Sequence, residues 1–148
     1  MLQTTVLMII LHSNSPHWID LLTFTLSNRG FRDIVHAGSG GEAVSFRSVS
    51  AHALPDFMKE HHRLIQLLIT DLPIPPAIFP DTLWLLCAEW AIPFFAWLPN
   101  EDERSSLFLR KAGSTLPAPF KTYLSTYVSA DCASASAFID HINCINNN

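Results

Sequence analysis

Charge, cysteine, basic clusters and long apolar runs are all scarce in this chain, and each shortage closes off a class of protein. Only 15% of the 148 residues are charged, and nine scattered Lys and Arg stand against thirteen Asp and Glu, for a net charge of −4. With no basic stripe to track a phosphate backbone, nucleic-acid binding by this domain alone is disfavoured. The three cysteines, Cys87, Cys132 and Cys144, form no CxxC pair, and their odd number argues against a complete disulfide framework. They read as reduced thiols of a cytoplasmic protein. The opening apolar run, Val6 to Leu11, is too short to span a bilayer and lacks the positive flank of a signal peptide, so neither membrane insertion nor secretion is expected. The seven His are dispersed, and the adjacent pair His61 and His62 lacks the i, i+4 spacing that aims two imidazoles at one zinc. No metal and no cofactor are expected.

What the chain does have is apolar mass. About half of it is hydrophobic, at 49%, which argues against disorder except at the ends and suits one compact domain over residues 1–148 with a core that needs no staple. The apolar stretches alternate between two kinds. Thr4 to Leu11 is a short run without alternation, the pattern of a strand covered on both faces. Ser15 and Pro16 open a helix, since Ser can accept from the free amides of the first turn and Pro has none to waste. Trp18, Leu22 and Leu26 continue it at helical spacing to a stop at Gly30. Phe31 to Ala37 reads as a second strand, and Ser39 with Glu42 has the spacing of a capping box for a second helix.

Residues 47–63, broken by Pro55, read as the end of helix two plus an insertion. Leu64 to Thr70 is a third strand, ending at Asp71 before a Pro-rich loop. Asp81 to Trp90 reads as a third helix and Pro93 to Leu98 as a fourth strand. Asn100 and Glu103 give a second capping box, opening a helix that stops at Gly113. Such alternation builds a doubly wound parallel sheet whose sites gather at the carboxyl ends of the strands. No Gly-rich loop follows the first strand, which counts against nucleotide binding.

Three stretches carry a resemblance. Ile-Leu-His-Ser-Asn-Ser-Pro (10–16) with the following helix and Gly30-Phe31, Ala-Gly-Ser-Gly-Gly-Glu-Ala-Val (37–44), and Leu-Leu-Ile-Thr-Asp-Leu-Pro-Ile-Pro (67–75) resemble, in this order, the receiver domain family of two-component response regulators. The resemblance implies a flavodoxin-like three-layer α/β sandwich with five parallel strands in the order 2-1-3-4-5 and helices on both faces. It also implies that Asp71 stands at the phosphate-accepting position. The acidic pair that holds Mg²⁺ in the family is replaced by Ser13 and Asn14, so one carboxylate stands where three are expected and a hard cation should bind poorly. The hydroxyl residue of the switch aligns with Leu98. The Lys of the family's Lys-Pro-Phe aligns with Ala118 in Pro117-Ala118-Pro119-Phe120, with Lys121 as a less favoured substitute.

The implied last helix should start near Phe120, yet a Ser/Ala-rich break at 129–136 makes the segment 121–148 atypical. Its second part places Phe138, Ile142 and Ile145 on one stripe, expected to cover the sheet. His12 beside Asp71 could be drawn as an acid–base couple, but Ser13 cannot complete a triad with them because adjacent strand residues point to opposite faces. An enzyme is therefore not expected. The reading favoured is a degenerate receiver, or pseudo-receiver, that acts as a protein-interaction module independently of phosphorylation. Its partner would be a histidine kinase, another regulator or an output protein, with a second copy of the chain as a further option. The docking face would be built from helix four, strand five and the last helix, with Trp97, Leu98 and Leu107 as anchors. The alternatives are a phosphorylatable receiver that uses Asp71 with atypical metal ligands, and a small flavodoxin-like enzyme or ligand-binding domain.

Overall fold

A computed structural model of the chain describes residues 7–13, 15–37, 47–49, 53–71, 80–107, 110 and 122–146. Its strands are β1 (Met8–His12), β2 (Asp33–Ala37), β3 (Arg47–Val49), β4 (Ile65–Thr70), β5 (Phe94–Pro99) and β6 (Thr122–Tyr127). Its helices are α1 (Pro16–Asn28), α2 (Leu54–His61), α3 (Pro80–Glu89), α4, described at 103–107 and 110, and α5 (Cys132–Asn146). All neighbouring strands pair in parallel, in the order β3-β2-β1-β4-β5-β6. Without the short edge strand β3, the remaining five have the expected order 2-1-3-4-5.

The two faces of the sheet explain why its central strands read as unbroken apolar runs. Met8, Ile10, Leu68, Phe94, Ala96 and Leu98 point to one side and pack with Leu54 and Met58 of α2 and Cys87 of α3. Ile9, Leu11, Leu67, Ile69, Phe95 and Trp97 point to the other and pack under α1 and α5. Strands covered on both faces have no solvent side on which to place polar residues. The start of α1 follows the sequence signal: the Trp18 amide donates to Ser15 Oγ at 3.4 Å, and Pro16 occupies the first turn. At its end Gly30 adopts φ +91°, a left-handed conformation open to glycine without strain. An Arg29–Asp140 ion pair and a hydrogen bond from the His17 ring to the Ala130 carbonyl (3.1 Å) tie α1 to α5 and the turn before it.

Three expectations are corrected. The stretch 47–63 is not a helix end with an insertion: it contains β3 and the separate helix α2, whose first turn holds Pro55. Proline is tolerated there because first-turn amides have no acceptor within the helix. The helix expected from Ser39 and Glu42 falls outside the described residues. The second correction concerns the expected start of the last helix near Phe120, where the chain instead forms β6. Tyr123 and Tyr127 pack toward α5 and Leu124 toward the other face, the period-two pattern of a strand. The Ser/Ala-rich stretch is then no break but the entry into α5, capped by Asp131, whose Oδ1 accepts from the Ser134 amide at 2.8 Å. Third, the cap of α4 is Asp102, which accepts from the Arg104 amide at 2.7 Å, and not Asn100. That bond is the main cause holding the Asp102 carboxyl below its ordinary range. Among the described residues, no helix is long and apolar enough to cross a membrane.

Candidate functional site at the strand ends

The parallel order brings the carboxyl ends of β1, β4, β5 and β6 to one edge of the sheet, and Asp71 stands there directly after β4. Its amide donates to the His12 carbonyl at 3.0 Å, which fixes it against the end of β1. Ser13 Oγ donates to Asp71 Oδ2 at 3.2 Å and also accepts from the Ser15 amide at 3.0 Å, so this one hydroxyl links the carboxylate to the cap of α1. Ser13 is 2% exposed and Asp71 is half-buried. Asn14 lies outside the described residues.

His12 does not join this pair through the bond the sequence allowed. Its Nδ1 lies 2.8 Å from Thr70 Oγ1, and Thr70 in turn donates to the Asp71 carbonyl oxygen at 2.7 Å. Since the Thr70 hydrogen is committed to the carbonyl, His12 is the donor and carries its proton on Nδ1. Burial pushes its pKa down to about 4, so the ring is neutral at physiological pH. His36, hydrogen-bonded through Nε2 to Thr23 Oγ1 at 3.1 Å, is lowered by burial too, with Asp20 opposing. Neither imidazole is placed as a base on Asp71 by these bonds.

At the end of β5 the sequence singled out Trp97 and Leu98 as surface anchors, and the structure corrects this. Trp97 is 1% exposed and Leu98 is fully buried. Trp97 is roofed by Trp18, whose Nε1 donates to the Trp97 carbonyl at 3.3 Å, and by Phe138, whose ring stacks on it at 5.5 Å. Leu98 points into the core under α2 and α3. Of the three proposed anchors only Leu107 is exposed, at 49%.

Ala118 lies outside the described residues, but β6 begins after it. The carboxyl end of the last strand is therefore Tyr127, and that residue and Val128 take the place the resemblance gave to Ala118. The Tyr127 ring packs on Trp97 at 4.4 Å. Its hydroxyl is pushed up to about 12, first by burial and then by the carboxylates of Asp71 and Asp102. Among the described residues, Tyr127 and Thr70 are the members of this edge that the sequence did not announce. Their signal, a Tyr-X-Ser-X-Tyr alternation and a Thr before the Asp, is common in ordinary strands.

No family model and no curated protein matches the chain. Solved structures do. A response regulator receiver protein from Sinorhizobium medicae WSM419 superposes with a TM-score of 0.64 at 12% identity, covering 96% of this chain and 95% of that one. A response regulator receiver domain protein from Clostridium thermocellum gives 0.54 at 15% identity, covering 95% and 94%. Carbon monoxide dehydrogenase IV from Carboxydothermus hydrogenoformans gives 0.58 at 9% identity, with 98% of this chain matching 22% of that one. The chain thus has the receiver fold over nearly its whole length. An α/β segment of a large enzyme shares the architecture, so chemistry must be argued from the site.

Proposed function

We propose that this chain is a degenerate receiver-like signalling domain that works as a protein-interaction module and does not depend on phosphate transfer to Asp71. The observation that carries the reading is the Ser13–Asp71 hydrogen bond: the neighbour of the phosphoacceptor position is a neutral hydroxyl where a metal-binding carboxylate is needed. Mg²⁺ prefers anionic oxygen and near-octahedral geometry, and one carboxylate beside Ser13 and Asn14 does not fit it. Loss of the switch hydroxyl at Leu98, and Tyr127 at the end of the last strand in place of a Lys, remove the contacts through which a phosphoryl group would favour one conformation. A ligand without differential contacts shifts no equilibrium.

The partner on this reading is a histidine kinase, another regulator or an output protein in the cytoplasm, met on the face of α4, β6 and α5, and the domain carries no enzymatic activity. Leu107 and Val128, 49% and 91% exposed, replace Trp97 and Leu98 as its anchors. Asp71→Asn is expected to leave the affinity for a partner captured from source cells within about threefold, under roughly 0.7 kcal/mol. Val128→Asp or Leu107→Asp should weaken it at least tenfold. Loss of binding in folded Asp71→Asn would favour the phosphorylatable receiver instead.

The metal argument has its own test. Isothermal calorimetry of the unmodified protein should show no saturable Mg²⁺ binding at physiological concentrations, and Ser13→Asp combined with Asn14→Asp should create it. Micromolar binding by the unmodified chain would contradict the donor-set argument.

A further inference from the structure

We propose that the cleft between β6 and α5 is a binding site for a small, uncharged, planar aromatic molecule. The cleft has a volume of about 310 Å³, at the lower end of the range usual for small-molecule sites. Its origin is local. On β6 the residues facing α5 are Tyr123, Ser125 and Tyr127, because strand side chains alternate, so a small side chain sits between two rings. Opposite them α5 offers Ser134 and Ala137, one turn apart and both small, before Phe138 closes the inner end. Packed proteins leave few voids larger than a water molecule, and here small residues on both walls leave one open.

The walls favour a flat π system. Tyr123 and Phe138 lie nearly parallel, with centroids 5.9 Å apart and 23° between planes, and Tyr127 packs at the other end on Trp97. A ring entering over Ser125 would stack or meet edges at spacings that aromatic pairs prefer. Among the described residues no Asp, Glu, Lys or Arg lines the cleft, so a charged ligand would find no carboxylate, ammonium or guanidinium to pair with; His141, stacked on Tyr123 at 5.6 Å, adds a further flat ring to the wall, and the Ser125 hydroxyl can orient one polar group. The proposal does not rest on the signalling reading or on Asp71.

Titration of the ¹⁵N-labelled full chain with indole, phenol and cyclohexanol tests it. Indole and phenol are expected to move the amide resonances of 125–128 and 134–138 saturably, with dissociation constants of about 1 mM or below, as small fragments reach. Cyclohexanol should bind at least tenfold more weakly. Ser125→Phe should abolish the shifts by filling the slot. Ala137→Phe, at an exposed helix position where the fold will tolerate it, should do the same. Absence of saturable shifts with both aromatic probes, equal binding of cyclohexanol, or undiminished binding by folded Ala137→Phe would overturn the proposal.

Discussion

Removal of residues 137–148 is expected to lower the unfolding free energy by several kcal/mol, enough to leave little folded chain at 25 °C. Phe138 and Ile142 are each 2% exposed and Ile139 is fully buried, all three packed against Leu67, Ile69, Phe95 and Trp97 of the sheet. Each such side chain contributes roughly 1.5–3 kcal/mol by leaving water, and a domain of this size has only about 5–15 kcal/mol in total. The loss would also uncover one half of the sheet. Phe138→Ala isolates the effect without deleting the helix and should cost about 3–5 kcal/mol, read from the urea midpoint at unchanged slope. A truncated chain with the midpoint of the intact one would show that α5 is not the cover of this face.

The second large effect is a loss of stability in mild acid, caused by His12. Its folded pKa of about 4 lies below the ordinary 6.5, so the unfolded chain takes up the proton first. Stability is then full above pH 6.5 and falls as the pH drops toward 4, by roughly 3 kcal/mol for a shift of this size. His36, also lowered by burial, adds to the loss with the same sign. The helix-capping carboxylates Asp102 and Asp131 are held low as well, but their contribution is lost only below about their ordinary 3.8, beneath the histidine window. His12→Asn keeps an N–H donor toward Thr70 but cannot titrate. It should reduce the slope of unfolding free energy against pH between 6.5 and 4 by up to one proton. An unchanged slope would mean that another group drives the acid loss.

The parts of this fold that were legible in the sequence are those where a single physical cause acts locally. Ser15 and Pro16 announce α1 through hydrogen bonding alone, and the double-covered strands β1, β4 and β5 announce themselves because burial on both sides leaves no place for a polar residue. Asp71 was singled out through the resemblance carried by residues 67–75, and it stands directly after the apolar strand β4 as that resemblance implied. β6 was missed because it is an edge strand, half exposed, whose Thr-Tyr-Leu-Ser-Thr-Tyr lacks the apolar density of its neighbours. That one omission displaced the end of the sheet to Ala118 and hid Tyr127. Trp97 was taken for a surface anchor because its cover, Trp18 and Phe138, comes from helices 79 and 41 residues away in sequence, and no local pattern reports such contacts. The pairing of His12 with Thr70 was equally invisible, since it depends on the register between β1 and β4.

Independence from phosphate is the central claim, and intact-mass spectrometry after incubation with acetyl phosphate and Mg²⁺ tests it most directly. With Ser13 and Asn14 in place of metal-binding carboxylates, the unmodified chain should gain no phosphoryl mass, and its spectrum should match that of Asp71→Asn treated in the same way. A phosphoryl increment on the unmodified chain that is absent from Asp71→Asn would contradict the account and make Asp71 a working phosphoacceptor.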